Sequence, residues 1–332
     1  MSIKILYIGM KHDYGDEKRP KSYEYIHIFE SLTGAGYDCT FLDYMDYIKQ
    51  HGHQALQEKL INLADETNPA LVIFSLYLDQ ISVETIKSIS KKYKTFGLFF
   101  DDTWRRKFVA EYGGAMHFFT TTDIFGEAVY KKMGLKAKPL YFAYGYNPKY
   151  FYPDRSKFIH DISFVGSWSS TREWIFKELK KAGIHVEMYG HGWKNGIVDH
   201  AKMLQIFQQS KISLNLSNSA QDNLSYIFSS ARALKSFLVG AKRGEQLKGR
   251  HIEINASGGF QVSFYTDGLA GLYELNKEIE VYQGIEDLKF KLNYYLEFED
   301  VREEVARKGL EKSQKYKYIT VMENLFRQME VI

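Results

Sequence analysis

Between Leu247 and Glu274 the chain gathers residue types that suit a phosphorylated, hydroxyl-rich ligand. Lys248, Gly249 and Arg250 form a cationic turn, Glu253 follows in a short segment, and an Ala-Ser-Gly-Gly turn at 256–259 leads into an apolar strand, Phe260 to Phe264, and a polar loop ending at Asp267. Arg250 and Lys248 supply the positive charge that a diphosphate requires. Gly258 and Gly259 let the backbone approach a bound group where a Cβ would collide, and amides at such a turn favour anionic oxygens. Glu253 is placed to accept hydrogen bonds from the hydroxyls of a sugar or ribose. The same stretch also reads as a buried helix, a tight glycine turn and a strand.

The elements that must hold these residues alternate. Residues 3–8 are a β-branched apolar run, a first parallel strand ending at Gly9. A polar, basic loop carrying Lys11, His12, Lys18 and Arg19 follows, then a helix over about 22–35. Strands at 38–43, 71–76, 95–100, 117–121 and 140–143 alternate with helices over about 53–66, 82–93 and 123–133. This spacing predicts an α/β fold with a doubly wound parallel sheet and right-handed crossovers. Ligands of such sheets sit at the carboxyl ends of the strands. Those ends carry His12, Tyr77 with Asp79, and Asp101 with Asp102. Asp102 reads either as a helix N-cap or as a base at the acceptor site; His12 reads as a general base or as a solvated loop residue.

A second alternating run restarts after an aromatic, proline-containing segment, Tyr144 to Pro153, with the linker at about 147–158. Its strand 161–165 enters Gly166, Ser167, Trp168 and Ser169, and a helix from Arg172 to Ala182 follows. A small-residue turn at a helix N-terminus offers amides and hydroxyls to phosphate, although Ser169 to Thr171 serve equally as a plain N-cap. A strand 185–189 ends in Tyr189, Gly190, His191, Gly192 and Trp193. Helix 200–209 and strand 212–216 come next. Residues 219–246 read as a helix and a basic loop, and helices are expected over 285–297, 299–313 and 317–330.

Arg250, Glu253, Ala256, Gly258, Gly259 and Phe260 resemble the R-x-x-E-x-x-A-x-G-G-F signature of GT-B glycosyltransferases, specifically of the CgeB-like (spore maturation protein type) group. The Phe-Val-Gly-Ser turn at 164–167, the Tyr-Gly-His-Gly-Trp element at 189–193 and the segment before Pro153 are similar to further blocks of that family. The resemblance implies two Rossmann-like doubly wound domains facing an inter-domain cleft. Residues 1–150 would bind the acceptor, residues 151–316 the nucleotide-sugar donor, and the helix at about 317–330 would pack back on the first domain. It further implies catalysis through Glu253, Arg250, Asp102 and His12. Donor contacts would come from Gly166, Ser167, Trp168, Ser169, Arg172, Tyr189, Gly190, His191, Lys248, Gly258, Gly259 and Glu245, with Glu245 and Glu253 at an E-x7-E spacing. Asp101 and Arg19 would meet the acceptor. The implied reaction needs no metal and no cofactor beyond the nucleotide sugar.

Composition bounds the alternatives. The 332 residues carry 44 Lys and Arg against 41 Asp and Glu, a net charge of +3 that marks no polyanion binder, and nucleic acid is not an expected partner. One cysteine, Cys39, allows no internal disulfide and fits a reducing compartment, so a cytoplasmic protein is expected. No apolar run is long enough to span a bilayer, which leaves peripheral membrane contact open. A P-loop motif, a GxGxxG after the first strand and a Cys/His cluster are all missing, which argues against a P-loop nucleotidase, a conventional dehydrogenase and a zinc site. The expected activity is transfer of a sugar from a nucleotide sugar to a hydroxyl of a glycan, a lipid-linked saccharide or a small molecule. An inactive glycan- or nucleotide-binding module and a sugar-nucleotide epimerase are the alternatives.

Overall fold

The computed structural model describes residues 3–154, 157–216, 223–239 and 246–332. The chain divides into two compact units, Met1–Ala143 with Tyr318–Ile332, and Tyr144–Lys317.

In the first unit β1 (Lys4–Gly9), β2 (Asp38–Asp43), β3 (Leu71–Ser75), β4 (Thr95–Leu98), β5 (Phe118–Thr121) and β6 (Lys138–Tyr141) form one sheet in the order β2-β1-β3-β4-β5-β6. Every pairing is parallel. β1 and β3 are buried on both faces, the expected state of apolar strands with helices above and below. The connecting helices are α1 (Glu30–Gly34), α2 (Tyr44–Thr67), α3 (Val83–Ser90), α4 (Arg106–Gly113) and α5 (Gly126–Lys132).

Some of these elements depart from the expected bounds. The helix expected at 22–35 is broken by a wide turn over Tyr25–Phe29, and α2 begins at Tyr44, well before residue 53. Asp43 caps α2, accepting from the amides of Met45 and Asp46 at 3.0 and 3.1 Å, and Gly52 bends the helix. Two weak stretches joined across a bend show no single period in sequence.

The second unit holds β7 (His160–Val165), β8 (Glu187–Tyr189), β9 (Ser210–Asn215), β10 (Gln261–Phe264) and β11 (Glu280–Tyr282), ordered β11-β10-β9-β7-β8 and again parallel. Its helices are α6 (Ser170–Lys181), α7 (His200–Gln208), α8 (Leu224–Ile227), α9 (Ala231–Val239), α10 (Arg250–Ala256), α11 (Leu269–Leu272), α12 (Ile285–Glu297) and α13 (Glu299–Ser313). Ile162, Phe164, Ile212, Leu214, Phe260 and Val262 are buried in the core on and beside this sheet. The last helix, α14 (Tyr318–Gln328), belongs to the first unit, where the Tyr318 hydroxyl donates to that of Tyr23 at 3.0 Å.

Each strand order reverses once, between β1 and β3 in the first sheet and between β7 and β9 in the second. At such a reversal the connections leave in opposite directions and open a crevice beyond the carboxyl ends of the strands.

Candidate functional site

In the second unit the reversal point falls where β7 runs into Gly166–Ser169. Ser169 caps α6, its hydroxyl accepting from the Arg172 amide at 3.2 Å. The loop after β8 is bolted to this turn. The amides of Gly166 and Trp168 donate to the carbonyls of Tyr189 and His191 at 2.8 and 2.7 Å, and Trp193 Nε1 donates to the Gly166 carbonyl at 2.8 Å. Glycine is required at 190 and 192. Both adopt positive φ, and a Cβ would lie 2.3 Å from the Gly166 carbonyl oxygen and 2.6 Å from Trp168 Cβ respectively.

These bonds correct part of the expected phosphate cradle. The amides of Gly166 and Trp168 are already engaged, which leaves the Ser167 amide and the first turn of α6 as the donors the turn can offer. Arg172 is likewise engaged: Nη1 donates to the Ser167 carbonyl at 2.6 Å and Nη2 to that of Leu216, just past β9, at 2.8 Å. It braces the reversal point from β7 to β9. Tyr189 also turns away, its hydroxyl 3.4 Å from His160 Nε2 at the other end of β7. His191 and Ser167 are exposed.

The expected short segment around Glu253 is a helix, α10, which runs back toward the start of β10. Topology therefore sets its first residues, with Lys248 and Arg250, at the carboxyl edge of the sheet, the edge that carries Gly166–Ser169. Arg250 is half-buried; its Nε is buried without a hydrogen-bond partner among the described residues, and Nη2 lies 4.0 Å from Met203 Sδ on α7. Glu253, in the first turn, is only 2 % exposed. His251 is fully buried, its Nδ1 receives the Lys248 amide at 3.0 Å, and burial pulls its pKa down to about 4.

Gly258 and Gly259 fall at the other end of the same helix. Gly258, at φ 75°, closes α10 in the left-handed conformation, its amide donating to Asn255 O and that of Gly259 to Ile254 O, both at 2.9 Å. A helix C-terminus presents carbonyl oxygens, and here the chain enters β10 at its amino end. The paired glycines are a helix cap on the edge opposite Arg250, and the expected anion cradle at Gly258 and Gly259 is corrected accordingly. Glu245 lies outside the described residues.

The first unit separates its candidates in the same way. Asp102 is 0 % exposed. Its Oδ2 accepts from Thr121 Oγ1 at 2.6 Å, and its Oδ1 from the amide and hydroxyl of Thr122 at 2.9 and 2.7 Å. Asp102 therefore ties the ends of β4 and β5 together, away from the reversal point, and neither caps α4 nor faces a ligand. Its expected catalytic role is corrected to a structural one. Asp101 beside it is half-buried.

His12 follows β1, which borders the reversal point, and donates through Nδ1 to the Arg19 carbonyl at 3.0 Å, so that Nε2 is the basic nitrogen. With Lys11, Glu17, Asp43 and Lys49 it lines a cavity of about 590 Å³. Arg19 stacks on Tyr14, 4.9 Å from the ring centre, and approaches Asp16 at 3.7 Å.

Three residues carry signals that sequence reading missed. Arg232 of α9 lies 5.2 Å from the Trp168 ring centre. Thr266, just past β10, is buried, its hydroxyl unpartnered among the described residues. Glu24, beneath the first loop, is buried with Oε1 unpartnered among the described residues, and burial pushes its pKa up to about 7. None of the three sits in a motif; each is marked only by what surrounds it. Among the described residues no group of three or more His, Cys, Asp or Glu converges as a metal site, and no helix is long and apolar enough to cross a membrane.

Comparison with known proteins places this geometry. Residues 171–327 match the family model described as glycosyl transferase-like. A search of curated proteins found no match in sequence. Solved structures align over nearly the whole chain. HepE from Anabaena, in complex with UDP and glucose, has a TM-score of 0.66 at 10% identity, covering 99% of this chain and 100% of its own. Sucrose-phosphate synthase from Thermosynechococcus elongatus has 0.66 at 11%, covering 98% and 99%, and a glycosyltransferase from Rickettsia africae 0.63 at 11%, covering 99% and 98%. The two parallel-sheet Rossmann-like units are those of the GT-B fold, as the sequence implied. The family model over residues 171–327 and the fold of these structures point the same way.

Proposed function

We propose that the protein moves a sugar from a nucleotide-sugar donor, held by the second unit, to an acceptor hydroxyl bound by the first. The observation that carries this reading is Arg250, a half-buried cation whose buried Nε has no partner among the described residues, at the carboxyl edge of a Rossmann-like sheet. Burying an arginine donor without a partner is costly, and a diphosphate oxygen would satisfy it. Lys248 and Arg250 would then offset the charge that builds on the departing diphosphate. Ser167 and the first turn of α6 would hold phosphate through backbone groups, and Glu253 would grip a donor hydroxyl. His12, through Nε2, would orient or deprotonate the acceptor, with Asp101 and Arg19 at its side. The reaction would need no metal and no cofactor beyond the donor. HepE, solved with UDP-glucose, supports a uridine diphosphate sugar as the first donor to try. The CgeB-like group is the subfamily its R-x-x-E-x-x-A-x-G-G-F stretch favours, and a cytoplasmic site of action is part of the same reading.

A thermal-shift panel of UDP, GDP, TDP, CMP and their sugar conjugates tests it. A ligand at a hundred times its dissociation constant stabilises a fold by about 2.7 kcal/mol. A shift with one nucleotide family that disappears in Arg250→Ala is the expected result. A shift that survives that substitution would move the donor site away from α10. Binding without turnover on any acceptor would favour an inactive binding module.

A further inference from the structure

Leu224 of α8, Phe228 just after it and one apolar face of α9 are turned outward, while Tyr226 and Ile227 of α8 are buried. Leu224, Phe228, Leu238 and Val239 are between 59% and 75% exposed, and Leu234 and Phe237 are also exposed. On α9, Leu234, Phe237 and Leu238 follow the i, i+3, i+4 spacing of a single face, whereas the buried residue of this helix is the small Ala233. A surface helix normally buries such a stripe. An exposed patch of this kind marks a surface that meets something apolar.

Charge around the patch selects the partner. From Asn223 to Val239 the chain carries Arg232 and Lys235 and no acidic residue. A cavity of about 710 Å³ between α6 and α8 is lined by Trp174, Lys177, Glu178, Lys180 and Lys181 on one side and by Ser225 and Ser229 on the other. The exposed Leu224 and Phe228 are chain neighbours of its two serines. Lys177 and Lys181 each meet a glutamate of their own helix, Glu173 and Glu178, at 2.7 and 2.6 Å in exposed pairs that lend little stability. Lys180 has no carboxylate partner among the described residues.

We propose that this face of α8 and α9, with the lysine edge of α6, seats the protein on a membrane surface rich in anionic lipid. Apolar side chains beside an excess of cations, Lys177, Lys180, Lys181, Arg232 and Lys235 against Glu173 and Glu178, are what an interfacial helix presents to headgroups and the acyl boundary. Arg232 links the patch to Trp168, so the docked face adjoins the turn after β7. The inference stands apart from the glycosyl-transfer reading, and either can fail alone.

Cosedimentation of the full chain with phosphatidylcholine vesicles, with and without phosphatidylglycerol, tests it. Strong binding is expected only to the anionic vesicles, weakening with added salt. Phe237→Asp with Leu238→Asp should abolish it. Lys180→Glu with Lys235→Glu should lower it by more than tenfold, since each cation at an anionic surface is worth about fivefold. Both double variants alter exposed positions, and their circular dichroism and melting temperatures should match those of the parent. Failure of the parent chain to bind anionic vesicles would overturn the proposal, as would undiminished binding by the Asp variant. So would a dimer in light scattering that the Asp variant converts to monomer, which would make the face an interface between two copies.

Discussion

Asp102 and Arg250 stand at the carboxyl edges of two parallel sheets, and both carry charges suited to chemistry, yet their surroundings give them opposite roles. Asp102 meets three hydrogen-bond donors at 2.6–2.9 Å from the end of β5 and is closed to solvent. Arg250 keeps a buried donor without a partner among the described residues. A charge whose hydrogen bonds are met within the fold holds strands together. One left short of partners calls for an explanation, which the proposed donor diphosphate would supply. Distance from the reversal of strand order runs the same way: the Gly166–Ser169 turn borders it, and Asp102 lies beyond it.

Breaking the contrast at Arg250 should have the largest effect. Arg250→Ala is expected to lower turnover by about 10²–10³-fold, the usual cost of one charge-stabilising donor, with the unfolding transition nearly unmoved. Steady-state kinetics beside a melting curve checks both halves. The reverse pattern is expected for Asp102→Ala, which strands two threonine hydroxyls and an amide. It should cost the first unit about 3 kcal/mol in denaturant unfolding while leaving nucleotide binding to the second intact.

The two units should also answer pH in opposite senses. Glu24, raised to about 7 by burial, contributes stability that is complete below its ordinary value of 4.5 and lost as pH climbs through 7. His251, lowered to about 4 by burial, contributes stability that is complete above its ordinary 6.5 and lost as pH falls through 4. Each effect is on the order of 3 kcal/mol. Glu24→Gln should flatten the loss between pH 5 and 8 in denaturant titrations; an unchanged slope would show that another group carries it. The smallest effect is expected at Gly258. Gly258→Ala should destabilise the second unit by about 1 kcal/mol through its left-handed cap, with no change in nucleotide affinity. A large loss of affinity would restore a ligand role to that turn.

Much of this architecture is legible in the chain. Ile-Leu-Tyr-Ile at 5–8 and Ile-Ser-Phe-Val at 162–165 are too apolar and too short for anything but buried strands, and they fall in β1 and β7. Ser169 caps α6, as its place before the helix suggests. By contrast, the length of α2 was hidden by the bend at Gly52. Asn-Ala-Ser-Gly-Gly at 255–259 gave no indication of which end of a helix it would occupy.

Local patterning alone thus determines the alternation of strand and helix, and with it the α/β class, because burial periodicity and turn chemistry act over a few neighbouring residues. It also brings Lys248, Arg250 and Glu253 together, since they share one short segment. The direction of α10 relative to β10 was decided only by tertiary structure, and this direction puts Arg250 and Gly258 on opposite edges. So was the satisfaction of each charge: whether Asp102 finds Thr121 and Thr122, and whether Arg250 Nε finds nothing, depends on groups distant in sequence that only the folded chain brings within hydrogen-bond reach.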